Sequence, residues 1–202
     1  MKQKVFVIGF QKTGTTSLEH ALQYLGYRVY GGDKNLMKYT NSDDLKAYIK
    51  TTLHSWDAVQ DMPWPLFYKE LYEIYPEAKY ILTLRNTNTW IRSVVTYFAS
   101  IRIPLHKTIY GVPCAEGYEF RYKEVYEQTN ARILKFFKNK PNFLVMEMEK
   151  DFNYQTLCGF LNIDEIPQEA FPHARHNKKR KLPNYKLYRD LRSLYWNFKK
   201  NY

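Results

Sequence analysis

The sequence is poor in cysteine and has no long apolar run. Its 202 residues include two cysteines, Cys114 and Cys158, whose spacing is not that of a metal site. Two free thiols indicate a reducing compartment, so we expect a cytoplasmic protein. No apolar stretch approaches the ~20 residues that span a bilayer, and the chain enters a strand pattern almost at once. We therefore expect neither membrane insertion nor a signal peptide.

Acidic side chains are also scarce relative to basic ones. The chain has 31 Lys and Arg against 20 Asp and Glu, which gives a net charge of +11. Such a charge favours a polyanionic partner. The sequence shows no helix-turn-helix, zinc-finger or RNA-recognition motif, so we expect no nucleic acid partner. A small polyanionic ligand fits the charge equally well, and charge alone does not separate these two classes.

The composition predicts one folded domain covering residues 1–202. Hydrophobic residues make up 45% of the chain and aromatic residues 17%. Short apolar strands, predicted at 4–9, 27–30, 56–60, 79–84 and 143–146, alternate with helical patterns. Helices are predicted at about 16–25, 41–53, 65–75, 89–100, 118–138, 154–161 and 185–198, and a long loop at 103–117. This order predicts an α/β fold, with a central parallel sheet flanked by helices.

The first strand pattern leads into a loop that predicts phosphate binding. Gly9 and Gly14 have the spacing of a Walker A loop, but Thr15 occupies the position of the Walker lysine, and Lys12 lies inside the loop instead. Glycines allow several backbone N–H groups to converge on one anion, and the following helix adds the positive end of its dipole. Hydroxyl donors are contributed by Thr13, Thr15, Thr16 and Ser17. The displaced lysine indicates a phosphate-containing donor other than a hydrolysed nucleotide.

Two further polar residues follow predicted strands. Asp61 comes after the strand pattern at 56–60, and Arg85 comes after the one at 79–84. Ligands of open parallel sheets bind outside the carboxyl ends of the strands. The sequence therefore predicts that Asp61, Arg85 and the loop after Gly9 lie at one edge of the sheet.

These stretches resemble the two cofactor signatures of the sulfotransferases that use 3′-phosphoadenosine 5′-phosphosulfate (PAPS). The resemblance is carried by residues 11–17 and by residues 84–93, in which Arg85 and Ser93 have the family's spacing; residues 61–64, 75–79 and 170–173 also resemble a soluble subfamily. It implies a three-layer P-loop fold and 3′,5′-bisphosphoadenosine as the product. It assigns the 5′-phosphosulfate to Gln11, Lys12, Thr13, Gly14, Thr15, Thr16 and Ser17. It assigns the 3′-phosphate to Arg85 and Ser93, with the basic segment Lys178, Lys179 and Arg180 closing over it.

The same resemblance suggests a mechanism of in-line transfer to an acceptor hydroxyl or amine, without a metal. It places Lys12 at the leaving oxygen, and Asp61 is the candidate base because cytosolic members carry a histidine at about this position. Asp57 and His54 are the alternatives for that base. The chain departs from the cytosolic pattern in three places, with Gln11 for a proline, Ser17 for the tryptophan that contacts adenine, and Val59 for a second lysine.

Several alternatives stay open at this point. A P-loop kinase or NTPase requires a lysine at position 15 and a Mg²⁺-binding carboxylate after a buried strand, where only Glu147 is available. A basic nucleic-acid-binding protein, or a sulfotransferase fold that transfers nothing, fits the same loop. The acceptor class (small molecule, carbohydrate or lipid) and the oligomeric state are also open. Six aromatic residues could line an acceptor pocket or belong to the core: Trp56, Trp64, Phe67, Tyr68, Tyr97 and Phe98.

Overall fold

The computed structural model describes residues 2–173, and within them five strands form a parallel sheet of order β2-β3-β1-β4-β5. The strands are β1 (Val5–Val7), β2 (Val29–Tyr30), β3 (Ala58–Val59), β4 (Lys79–Leu84) and β5 (Phe143–Glu147). All five lie where the sequence predicts strands. The α/β class with a parallel sheet is therefore confirmed.

Helices connect the strands. They are α1 (Thr15–Tyr24), α2 (Ser42–Thr52), α3 (Tyr68–Ile74), α4 (Thr87–Phe98), α5 (Pro104–Tyr110), α6 (Glu119–Phe137) and α7 (Tyr154–Leu161). Short 3₁₀ turns occur at Lys34–Lys38, Leu53–Ser55 and Trp64–Phe67. Asn41 caps α2 by accepting hydrogen bonds from the backbone N–H groups of Asp43 and Asp44, as its position predicts. Lys178, Lys179, Arg180 and the helix predicted at 185–198 lie outside the described residues.

The described residues fall into two compact units. Residues 2–86 with 127–173 form the first unit, which contains the sheet, and Thr87–Tyr126 belongs to the second. The prediction of one domain over 1–202 stays a prediction. Between residues 2 and 173, none of the helices combines the length and apolarity needed to cross a membrane.

The alternation of side chains along β1 builds the layers of the first unit. Val5 and Val7 point to one face, where the helices α1 and α7 cover them. Phe6 and Ile8 point to the other face, which is covered by α2, α3 and the C-terminal part of α6. All four side chains are at most 1% exposed. Because successive residues of a strand face opposite sides, an uninterrupted apolar run such as β1 belongs in a sheet covered on both faces.

The prediction of a loop at 103–117 was wrong in its first half, where the chain forms α5. Pro104 opens this helix at its first turn, where a missing N–H costs nothing. Gly111 ends it in a left-handed conformation, with φ of 73°. Two of the residues that suggested a loop therefore mark the start and the end of a helix.

A buried histidine organises the core of the second unit. His106 of α5 packs edge-to-face against Phe98, Tyr110 and Tyr122, and its Nδ1 lies 3.2 Å from the hydroxyl of Tyr122. Burial lowers the pKa of His106 to about 4, so the imidazole is neutral at pH 7. This residue is a structural component of the aromatic core.

Candidate active site

The loop between β1 and α1 has the backbone conformation of an anion cradle. Lys12 and Gly14 both adopt left-handed conformations, with φ of 69° and 93°. Residues in this conformation turn successive backbone N–H groups toward one side, which creates a concave site for an anion. A lysine rarely adopts a positive φ, so the surrounding loop must impose it on Lys12.

The N-terminus of α1 completes the cradle. Gly14 is the N-cap residue and brings no side chain to cap the helix, whereas asparagines cap α2 and α7. The first turn of α1 therefore directs backbone N–H groups and the positive end of its dipole toward the loop. Thr15 is buried there, and Thr16 and Ser17 are half-buried.

A pair of buried threonines fixes the loop to the sheet. The hydroxyl of Thr13 donates to the carbonyl of Phe10 at 2.6 Å and lies 2.6 Å from the hydroxyl of Thr83 in β4. Both threonines are completely buried. Since the Thr13 proton goes to Phe10, Thr83 must donate to Thr13. The expectation that the Thr13 hydroxyl is a donor for the anion was therefore wrong, because this hydroxyl is buried and shapes the loop from inside.

Gly9 is required because β4 approaches the loop closely. A Cβ built on Gly9 would lie 1.8 Å from the Oγ1 atom of Thr83 and 2.7 Å from its carbonyl oxygen. No side chain fits there without moving the loop away from β4. The glycine at position 9 therefore provides space, in addition to the turn predicted from the sequence.

Gly9→Ala is expected to destabilise the protein by about 1–3 kcal/mol, because the added methyl group forces the loop off the sheet. Denaturant unfolding measures this change. The matched control is Gly159→Ala in α7, where an added Cβ meets no atom within 4 Å. That control should leave stability unchanged or raise it by up to about 1 kcal/mol, since alanine is the better helix former. Equal stability of the two variants would contradict the close approach of Thr83.

Arg85 lies against the loop between β1 and α1, at the sheet edge where the sequence places it. Its Nη1 atom donates to the carbonyl of Lys12 at 3.4 Å, and its Nε atom is 3.4 Å from Oε1 of Glu149. The Arg85 side chain is 22% exposed, so the guanidinium is partly shielded from water. Ser93 is half-buried on α4, in the second unit, and its predicted role stays a prediction.

Asp61 lies at the same edge of the sheet as the loop. Val59 of β3 pairs with Phe6 of β1, so Asp61 and Ile8 are both two residues past this pair. The backbone of Asp61 is left-handed, with φ of 76°, and its Oδ1 atom accepts a hydrogen bond from the N–H of Met62 at 2.8 Å. A Cβ built on Gly32 would lie only 2.2 Å from the Met62 carbonyl oxygen, so a neighbouring glycine makes room for this turn.

The alternatives for the base lie at the opposite end of β3. Asp57 precedes the strand, and His54 is exposed in the 3₁₀ turn before it. Asp57 forms a two-point ion pair with Arg28, with distances of 2.9 and 3.1 Å, and it also accepts from the Arg28 backbone N–H. Because these ends of the parallel strands are remote from the carboxyl edge, Asp57 and His54 lie away from the loop between β1 and α1.

The hydrogen bonds from Arg28 lower the pKa of Asp57 from 3.8 to about 2. This interaction therefore stabilises the fold above pH 4 and is lost as the pH falls toward 2. We expect Asp57→Asn to lower the free energy of unfolding by about 1–2 kcal/mol at pH 7, because the partner Arg28 is largely solvated. Denaturant titrations at pH 7 and pH 3 measure the change. A deficit as large at pH 3 as at pH 7 would exclude the ion pair as its cause.

Four residues that support the site were not predicted. They are Thr83, which seats the loop; Glu149, which faces Arg85; Phe152, whose ring lies where a Gly14 side chain would project; and Gln60, which donates to Glu19 of α1 at 3.0 Å. Thr83 carried a signal, since it is a buried polar residue in an otherwise apolar strand end. The other three depend on contacts between distant segments, for which the sequence holds no local pattern.

Two of the six aromatic candidates for an acceptor pocket belong to the core of the first unit. Trp64 is fully buried, with its indole N–H bonded to the carbonyl of Gly31 at 2.8 Å, and Tyr68 is 7% exposed.

Within residues 2–173, no three His, Cys, Asp or Glu side chains are grouped in a way that could hold a metal ion.

The chain is similar to several known proteins. The family described as the sulfotransferase domain matches residues 4–113 and 101–180. A curated relative, the Ava biosynthesis cluster protein M of Aspergillus versicolor, is 24% identical over 84% of this chain and 80% of its own length. A sulfotransferase from Alicyclobacillus acidocaldarius has a similar structure, with a TM-score of 0.51 and 17% identity over 83% of this chain and 84% of that one. A shikimate kinase from Bacteroides thetaiotaomicron reaches a TM-score of 0.46 with 11% identity, over 79% of this chain and 94% of that one. Because the domain match covers well over half of the chain, this protein belongs to the sulfotransferase family.

Proposed function

We propose that the protein moves a sulfuryl group from PAPS to an acceptor hydroxyl or amine by in-line displacement. One observation carries the proposal: Arg85 is bonded to the carbonyl of Lys12, which joins the two predicted phosphate-binding elements into one basic site. A donor with phosphates at both its 5′ and 3′ positions needs two such elements side by side. A single-phosphate ligand needs only one.

The residues at this edge fit such a donor. The left-handed backbone at Lys12 and Gly14 and the start of α1 suit the 5′-phosphosulfate, with Gln11, Thr15, Thr16 and Ser17 in the same loop and first helical turn. Thr13 shapes this loop from inside. Arg85 suits the 3′-phosphate, since a guanidinium can grip a phosphate through two parallel N–H bonds. Ser93 and the segment Lys178, Lys179 and Arg180 are proposed to add further contacts. When bound, the donor supplies an activated sulfuryl group on a phosphate leaving group.

Two side chains are proposed to carry the chemistry. Lys12 provides a positive charge beside the cradle, where negative charge on the leaving oxygen would be stabilised. Asp61 lies at the same edge and is proposed to accept the proton of the acceptor. The bond from the Met62 N–H holds one oxygen of Asp61, Oδ1, in a fixed direction.

The proposal also covers the acceptor class, the cellular location and the number of domains. We infer a small-molecule, carbohydrate or lipid acceptor, a cytoplasmic location and a single functional domain. Neither a metal nor a nucleic acid is part of the proposal.

The test is calorimetric titration with 3′,5′-bisphosphoadenosine, 5′-AMP, and ATP with Mg²⁺. We expect the bisphosphate to bind most tightly. Arg85→Ala should weaken it by about 10- to 100-fold while changing 5′-AMP little, because a charge-assisted contact to the 3′-phosphate is lost. Arg132→Ala, on the exposed face of α6, removes the same charge and should change neither affinity.

Two results would contradict the proposal. Preference for ATP with Mg²⁺ would favour a P-loop kinase. Equal affinity for the bisphosphate and for 5′-AMP in the wild-type protein would remove PAPS as the donor.

A further inference from the structure

Glu149 faces the guanidinium that is proposed to hold the 3′-phosphate. Its Oε1 atom is 3.4 Å from the Nε atom of Arg85, and its side chain is 52% exposed. We propose that Glu149 competes with the 3′-phosphate for Arg85 and thereby sets the affinity and selectivity of the site for that phosphate. This inference rests on the proposed function, since it requires a ligand with a 3′-phosphate.

The sheet places the two residues together. Leu84, the last residue of β4, pairs with Glu147, the last residue of β5. The ladder continues one step further, because the N–H of Met148 donates to the carbonyl of Leu84 at 2.9 Å. Arg85 and Glu149 therefore leave adjacent parallel strands at the same edge. The proximity of their backbones therefore follows from strand register.

The neighbouring carboxylates of this segment are engaged within it. Glu147 forms an ion pair with Lys150 at 2.5 Å, and Asp151 accepts a hydrogen bond from the backbone N–H of Glu147 at 3.0 Å. Both interactions tie their carboxylates to the turn after β5. Glu149, in contrast, reaches across to the end of β4.

The contacts of Arg85 indicate that Glu149 competes with a bound phosphate and does not help to hold it. The Nε atom of Arg85 faces the carboxylate, and Nη1 already donates to Lys12, so a phosphate gripped through the Nε edge must displace Glu149 or share that edge with it. A phosphate dianion beside a carboxylate is repelled. Glu149 is half exposed, so it can be displaced into water at little cost. Removing its charge should therefore strengthen binding of the 3′-phosphate.

The experiment compares two bisphosphates of equal charge by calorimetry, 3′,5′-bisphosphoadenosine and its 2′,5′ isomer. We expect Glu149→Gln to tighten binding of the 3′,5′ isomer by about three- to tenfold, and to change the 2′,5′ isomer by less than about twofold. The matched control is Glu77→Gln, which removes the same charge from an exposed residue before the opposite end of β4. It should leave both affinities unchanged.

A second experiment repeats Glu149→Gln in the Arg85→Ala protein, to test whether Glu149 acts through Arg85. In Arg85→Ala, Glu149→Gln should no longer tighten binding, because the group for which both anions compete is gone. Three results would each overturn the inference. Glu149→Gln could leave the affinity for the 3′,5′ isomer unchanged or lower it, it could raise the affinity for both isomers equally, or it could still raise the affinity when Arg85 is absent. A wild-type protein without preference for the 3′,5′ isomer would overturn the proposed donor as well, so the two failures are distinguishable.

Discussion

Lys12→Ala is expected to lower the rate of sulfuryl transfer by about 10²–10³-fold, the loss typical of removing one charged group that stabilises the leaving oxygen. Binding of 3′,5′-bisphosphoadenosine should weaken as well. The rate is measured as release of the bisphosphate from PAPS with 4-nitrophenol as the probe acceptor. Affinity is measured by calorimetry, which does not depend on the acceptor.

The backbone at this position supplies the control. Lys12 has a positive φ, so alanine keeps the conformational strain of the loop, whereas Lys12→Gly relieves it. If the ammonium group matters, both variants lose activity to a similar extent. If the loop conformation also matters, the glycine variant loses more activity than the alanine variant, because glycine frees the backbone of the loop. Lys69→Ala, on the exposed surface of α3, removes the same charge elsewhere and should have no effect. Near-normal turnover of Lys12→Ala would contradict the assignment of the loop.

Asp61→Asn is expected to lower kcat by about 10²–10⁴-fold, because an amide cannot accept the acceptor proton. Affinity for 3′,5′-bisphosphoadenosine should change by less than about threefold, since the proposed role concerns the acceptor. The asparagine variant is preferable to alanine for two reasons. Its Oδ1 atom can keep the bond from the Met62 N–H, and asparagine tolerates the left-handed backbone at this position.

Asp57→Asn is the matched control for Asp61→Asn, because it makes the same chemical change at the other end of β3. It should cost stability through the lost Arg28 pair and leave kcat unchanged at a temperature where the protein is folded. Full activity of Asp61→Asn would place the base elsewhere. Loss of activity in both variants would indicate a general sensitivity of β3.

Local patterns in the sequence predicted much of the fold. The bounds of β4 and α7 agree with the prediction to the residue, because each is a periodic apolar segment flanked by polar or helix-breaking residues. The start of α2 was predicted for the same kind of reason, since its Asn41 cap involves neighbours within one turn. The loop after 103 was predicted wrongly because Pro104 and Gly111 punctuate a helix and a loop alike.

Some features of the candidate site were also predicted from local sequence patterns, and others were not. The sequence by itself determined the family, the glycine-containing loop that carries Lys12, and the arrival of Arg85 and Asp61 at strand ends, because these features depend on residues close together in the chain. Only the tertiary structure decided that Thr83 leaves no space for a side chain at Gly9, that Asp57 pairs with Arg28, and that Glu149 faces Arg85. The reason is physical: such contacts are set by the register of strands separated by tens of residues, and register is a property of the assembled sheet.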